Sequence, residues 1–276
     1  MSQTSIGIAV PAEAAAAATP ARAELRKPAT FMPRFICGAV LLLSWELVVR
    51  MLAPAYVAKP SSVLMAIPRV IVDPAFLTAT RVTLTAVAEG LALALVFGTA
   101  IGLLMGRSTA LERGLRHYVN GFYAMPMIVV LPLFSLWFGY SGTARIATIV
   151  FAAIFSIIIN VADGARAVPR EYLEVARSFR ADRLGVLIGV VLPASMPYLL
   201  AGFRLAAGRA LIGAVVAEFF LSVGGLGYYI LYNSRVYHHD QAFVGVLLLA
   251  GFGVSFELLV NWTTRRFMPW YRRGES

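Results

Sequence analysis

Few side chains in this sequence are equipped for chemistry, and they are scattered through an apolar chain. Ser141 lies in Gly139-Tyr140-Ser141-Gly142, a glycine-flanked serine that would need a base to become a nucleophile. The only later histidines are His238 and His239, beside Asp240. Four carboxylates, Glu46, Glu89, Glu218 and Glu257, fall in or near apolar runs, where ion-coupled carriers keep their titrating groups. Arg204 and Arg209 stand in the apolar run that also holds Glu218. A phosphate-cradling loop needs G-x-x-x-x-G-K-[ST], and neither lysine, Lys27 or Lys59, follows such glycines. The chain is therefore not itself an ATPase. A single cysteine, Cys37, excludes a disulfide framework and a cysteine zinc site.

The elements that must position these groups are helices in lipid. Of 276 residues 59% are hydrophobic and 14% charged, with a mean hydropathy of +0.77. A soluble domain carries roughly a quarter charged residues. Crossing a bilayer takes about 20 apolar residues. Six runs qualify: Phe35–Leu52, Val82–Met105, Phe122–Phe138, Ala144–Ala162, Leu199–Leu221 and Phe243–Trp262. Pro126 and Pro132 should kink the third. The apolar stretch from Val186 to Leu200, with Pro193 and Pro197, reads as a bent lead-in to the fifth.

With the N-terminus inside, most of the 24 Lys and Arg residues fall in cytoplasmic segments, among them Arg107, Arg113, Arg116, Arg166, Arg170, Arg177, Arg180 and Arg183. That bias explains the net charge of +10 without nucleic acid. The expected organisation is a flexible cytoplasmic tail at 1–34, a transmembrane region at 35–264 with its core at 76–264, and a basic cytoplasmic tail at 265–276. An Ala- and Pro-rich start without leading basic residues does not read as a secretory signal. Both termini are expected inside.

One charged segment interrupts the oil. In Arg170–Arg180, Leu173, Ala176 and Phe179 recur at three-residue spacing, flanked by Glu171, Glu174 and Arg177, so a short helix with one apolar face is expected. Asp182 can open a second short helix. Together they make an L-shaped cytoplasmic knob, either resting on the lipid surface or held out to a partner. In the second run Gly90, Ala94, Gly98, Gly102 and Gly106 form a smooth stripe that lets a neighbouring helix approach closely. Several residues admit two readings. Pro126 and Pro132 border a path or merely kink a helix. Asn160 lines a path or bonds within the core. Arg204 and Arg209 attract an anionic solute or pair with lipid phosphates and loop carboxylates near the cytoplasmic boundary. Glu218 lines the path or steadies its outer gate.

The knob carries a recognisable pattern. Glu174-Val175-Ala176, then Ala181, then Val190-Val191-Leu192-Pro193 resembles the EAA motif of ATP-binding-cassette import permeases: E-A-A, three residues, G-A, eight residues, I-x-L-P. Arg180 stands where that family has glycine, which puts the elbow's geometry in question. "KPSSVLMAI", "PLFSLWFGYSG" and "GGLGYYI" are similar to the nitrate, sulfonate and taurine branch. The resemblance implies an all-α polytopic permease of about six transmembrane helices, like a type I importer subunit, in the bacterial inner membrane. It implies a coupling loop, including Glu171, Glu174, Ala176, Arg180, Ala181, Leu192 and Pro193, that docks on a separate ATPase subunit. It further implies a permease dimer, here a homodimer, and a periplasmic solute-binding protein delivering a small anion. ATP and Mg would be bound by the partner ATPase, with no cofactor or metal on this chain. The rivals are an ion-coupled carrier and, from the resemblance of Gly-Tyr-Ser-Gly to the rhomboid serine motif, an intramembrane protease.

Overall fold

The computed structural model describes residues 31–52 and 57–267, and the regular elements among them are all helical. The tails expected at 1–34 and 265–276 lie almost wholly outside the described residues. The chain falls into two units, one ending at Ser44 and one beginning at Trp45. The first contributes the opening turns of α1 (Phe31–Leu52). The second holds the end of α1, then α2 (Pro60–Val70), α3 (Pro74–Arg107), α4 (Thr109–Ala124), α5 (Met127–Phe138), α6 (Gly142–Arg166), α7 (Arg170–Ser178), α8 (Arg183–Val186), α9 (Leu192–Leu221), α10 (Leu226–Arg235) and α11 (His239–Phe267).

Four helices among the described residues are long and apolar enough to cross a membrane: α3, α6, the run Arg183–Leu221 and α11. The bent pair α4–α5 makes a fifth if counted as one span. α1 coincides with the first expected crossing but is not among the four over its described residues. The third crossing differs from expectation. It is not a kinked rod over Phe122–Phe138, because α4 and α5 meet at 100°. Met125 precedes a proline and is extended at φ −67°, ψ 130°, and Pro126 is extended at φ −61°, ψ 124°. The pre-proline clash and the missing N–H of Pro126 end one helix and begin another. Pro132 stays inside α5.

The lead-in to the fifth crossing also differs. Val186–Leu200 is not a separately bent piece, because the helix runs unbroken from Arg183 to Leu221 over 39 residues. A π-helical turn at Leu187–Val191 precedes Pro193 and takes up the backbone mismatch where that proline can donate no hydrogen bond. At 1.5 Å per residue this helix is about 58 Å long, nearly twice the ~30 Å hydrocarbon core. Part of it therefore stands outside the hydrocarbon.

The core is α6, gripped from both sides by small residues. A side chain at Gly98 would meet Ile157, at Gly102 Val161, and at Gly106 Ala165, with equal steps on both helices. α3 and α6 therefore run parallel in a fixed register. On α9 the order reverses: Gly202 faces Asn160, Gly213 faces Ala152, and Gly164 of α6 faces Ser195 and Tyr198. α9 is therefore antiparallel to α6. Ala94, Ala153, Ala206, Ala210 and Ala214 are fully buried along these seams. In lipid no hydrophobic force draws helices together, so close backbone approach and dispersion carry the association. The expected stripe thus has an identified partner. Parallel α3 and α6 also require the α4–α5 return between them.

A Cβ on Gly102 would sit 2.8 Å from Val161 Cβ and 2.9 Å from the Ile158 carbonyl oxygen. Gly102→Leu should destabilise the bundle by roughly 1–3 kcal/mol or more, read as a lower melting temperature in detergent. Gly121→Leu, where no atom lies within 4 Å, should melt as the parent does.

Candidate functional site

The polar elbow is built by a helix-stop signal read from the backbone. α7 ends with Ala181 N–H donating to Ala176 O (3.1 Å) and Arg180 N–H donating to Arg177 O (2.8 Å), the paired bonds of a Schellman motif. The residue between them must be left-handed, and Arg180 has φ 55°. Arginine has therefore kept the turn that glycine usually makes, at a conformational cost of roughly 1–2 kcal/mol. Ala176 and Ala181 form the hydrogen-bonded ends of the stop. Asp182 then caps α8 by accepting Gly185 N–H at 3.0 Å. Leu173 is the elbow's anchor, buried in one cluster with Val168 and Val191. Leu192 packs on that cluster, and Pro193 is exposed in the first turn of α9.

The apolar face of α7 is only partly turned inward. Leu173 is buried and Ala176 half-buried, but Phe179 is 83% exposed. Tyr172, Val175 and Leu184 are exposed with it, as are Glu171 and Glu174. The apolar face expected over Leu173, Ala176 and Phe179 is thus split, with Leu173 buried and Phe179 at the elbow's outer surface just past the end of α7. Behind the elbow, Arg166 at the end of α6 pairs with Asp163 and with Glu112 of α4. Glu112 also pairs with Arg116. The end of α6 and the start of α4 are thus joined by charge immediately before α7.

At the opposite end of the bundle Glu218 is fully buried. Its carboxylate accepts from Thr83 Oγ1 (2.8 and 3.0 Å) and from Gly227 N–H (2.7 Å), with Arg145 Nη1 at 3.4 Å. Thr83 Oγ1 accepts Leu226 N–H at 2.7 Å, and Arg145 donates to Gly224 O at 2.7 Å. These bonds staple α3, α6, α9 and α10 together. Glu218, read from the sequence as lining the path or steadying its outer gate, is held among these donors in this conformation.

The remaining candidates separate. Arg204 pairs with Glu257 and donates to Asn261 Oδ1, both on α11. Asn160 donates to Ser156 O at 2.8 Å on its own helix and packs at the Gly202 contact. Arg209 has no carboxylate partner among the described residues. Its Cζ lies 3.8 Å from the Tyr123 ring centroid and its Nη1 donates to Tyr123 O at 3.2 Å. It is also not near the end of the bundle. The residues around it, Phe151, Ala152 and Phe155, lie midway along α6. Pro126 stands at the α4–α5 break beside the same cavity, between Met125 and Met127. Sequence reasoning did not find Thr83, Tyr123 or the stapling role of Arg145; of the three only Arg145 carried any signal, as a charge beside a span.

Ser141 is the N-cap of α6. Its Oγ donates to Phe138 O at 2.8 Å and accepts Ala144 N–H at 3.3 Å, so a helix start accounts for the Gly-Tyr-Ser-Gly match.

Long apolar helices, one broken crossing and a capped polar elbow define a multi-pass α-helical membrane protein. The family model for the binding-protein-dependent transport system inner membrane component matches residues 94–273, and the chain belongs to that family. The chain is 31% identical to a probable ABC transporter permease protein of Haemophilus influenzae, over 86% of this chain and 96% of that one. It is 28% identical to the nitrate import permease of Synechococcus elongatus, over 87% and 90%. It is likewise 28% identical to the taurine transport system permease of Escherichia coli, over 84% and 87%. Among solved structures, the inward-facing MetNI methionine ABC transporter matches with a TM-score of 0.61 at 19% identity, covering 68% of this chain and 94% of that one. The protein is thus an ABC importer permease component, a non-catalytic transport subunit of the inner membrane. Neither an intramembrane protease nor an ion-coupled carrier fits that family.

Thr83→Val would leave Leu226 N–H without its acceptor and the buried Glu218 carboxylate without its hydroxyl donor. The expected loss is about 1–3 kcal/mol for each stranded polar group, seen as a lower melting temperature. Thr83→Ser should retain most of the stability.

Proposed function

We propose that this chain forms the translocation path for a small anionic solute and is driven by a separate ATPase through the α7–α8 elbow. The observation that carries the coupling reading is the exposed apolar ridge of Tyr172, Val175, Phe179 and Leu184 on an otherwise charged knob. Apolar groups clustered in a polar setting mark a docking surface. Arg170, Arg177, Arg180 and Arg183 share this end of the bundle with Arg107, Arg113, Arg116 and Arg166, which supports a cytoplasmic position by the positive-inside rule. On that orientation both termini are cytoplasmic and the Glu218 staple is external.

In this reading Glu171, Glu174, Ala176, Arg180, Ala181, Leu192 and Pro193 build or present the elbow. A permease homodimer encloses the path, and a periplasmic solute-binding protein supplies it, as the family's description suggests. The ATPase holds the nucleotide and its metal. The nitrate and taurine permeases among the relatives support an anionic solute.

Glu174→Lys, or deletion of residues 171–183, should leave membrane insertion intact while abolishing solute uptake and co-purification of the ATPase. Normal ATPase recovery with the deleted chain would overturn the coupling reading.

A further inference from the structure

The break between α4 and α5 opens onto a cavity of about 240 Å³. Its walls are Phe122, Phe151 and Phe155, with Met125 and Met127 at the break and Arg209 entering from α9. We infer that this cavity is a solute subsite for an organic anion: a sulfonate or carboxylate head on the Arg209 guanidinium, with an apolar body against the phenylalanines. This deepens the permease reading and rests on it.

Three observations converge. Arg209 lies at mid-span depth without a carboxylate partner among the described residues. A guanidinium has five N–H donors, and among the described residues Arg209 uses one, to Tyr123 O. Stacking on Tyr123 fixes the guanidinium plane before any ligand arrives. The phenylalanines are likewise fixed by one another, with Phe151–Phe155 edge-to-face at 5.1 Å and Phe122–Phe155 stacked at 5.7 Å between centroids. Broken helices at mid-membrane are tolerated where they border protein or a water-filled cavity, and transporters build solute sites there.

The shape and lining select among anions. At ~30 Å³ per water the cavity holds about eight waters, more than a bare four-atom anion fills. An inorganic anion entering it would give up hydration to aromatic walls that return no hydrogen bonds. An alkyl body instead gains about fourfold in affinity for each methylene buried. The lining holds no carboxylate, so a zwitterion's ammonium finds no partner there.

The test uses the full chain with its co-purifying ATPase, nucleotide-free, in phosphatidylcholine nanodiscs, titrated calorimetrically with methane-, ethane-, propane- and butanesulfonate, taurine and nitrate. Affinity should climb about fourfold per methylene, with taurine weaker than ethanesulfonate and nitrate weakest. Arg209→Gln should weaken butanesulfonate at least tenfold, and Phe151→Ala should flatten the chain-length series. Arg204→Gln, whose partners are Glu257 and Asn261, should bind as the parent does. Nitrate binding as tightly as butanesulfonate, no binding of any sulfonate, or an unchanged Arg209→Gln would each overturn the inference. Repeating the titration with phosphatidylglycerol present distinguishes a lipid headgroup. If that lipid alone depends on Arg209 and the sulfonates do not bind, the cavity is a lipid site and the inference fails. The ATPase in the preparation keeps the readings separable: sulfonate failure with the ATPase still bound removes the subsite alone, whereas a preparation that never retains an ATPase removes the ATPase-driven path reading beneath it.

Discussion

Everything in this molecule hangs on how closely α6 can approach its neighbours. It lies parallel to α3 and antiparallel to α9, and both seams close at glycines and alanines that leave room for the facing helix. Packing at that distance tolerates no added atom, since even one Cβ on Gly106 would come within 2.6 Å of the Ala162 carbonyl oxygen. Lipid tails offer no hydrophobic penalty to drive the helices together, so the fit itself is the driving force. The consequence is a three-helix unit with one register and little freedom to slide.

Two polar devices finish the ends of that unit. At one end the Glu218–Thr83 staple ties the α9–α10 turn to α3, with Arg145 bonding the Gly224 carbonyl. At the other end Leu173 sinks into the same core as Val191, so the elbow is fixed to the bundle even though its ridge is exposed. Leu173 thereby joins the elbow to residues at the end of α6 and the start of α9. The α4–α5 pair is the contrasting element: bent at 100°, it is tied to the end of α6 by the Arg166–Glu112 charge pair and borders the Arg209 cavity. A stiff unit beside a broken crossing is a sound arrangement for opening and closing a path, because packed cores respond by discrete shifts between neighbours.

Much of this was legible in the sequence, for reasons that can be named. The glycine stripe declares itself because a four-residue step is one helical face, though only the structure shows which helix it meets. The elbow was legible because a charged, well-capped segment has no business between two apolar runs. The residue pattern there encodes backbone bonds, which is why Arg180 could replace glycine and still make the turn. Pro126 announced a break but not its angle, since proline removes a hydrogen bond without dictating where the next helix points. The sequence could not choose between the two readings of Glu218, because its partner Thr83 is 135 residues away and looks like any threonine in an apolar run. Arg204 and Arg209 were indistinguishable as letters five residues apart. One met an acid on α11 and the other an aromatic ring on α4, a difference set wholly by tertiary packing.

The most direct test of the account is chemical access to the elbow. In a Cys37→Ser background, Ser178→Cys places one thiol at the end of α7. A membrane-impermeant maleimide should fail to label it in intact spheroplasts, label it in inverted vesicles stripped of the ATPase, and be excluded again when the ATPase is restored. Labelling from the outer face of spheroplasts, or labelling that the restored ATPase does not diminish, would contradict it.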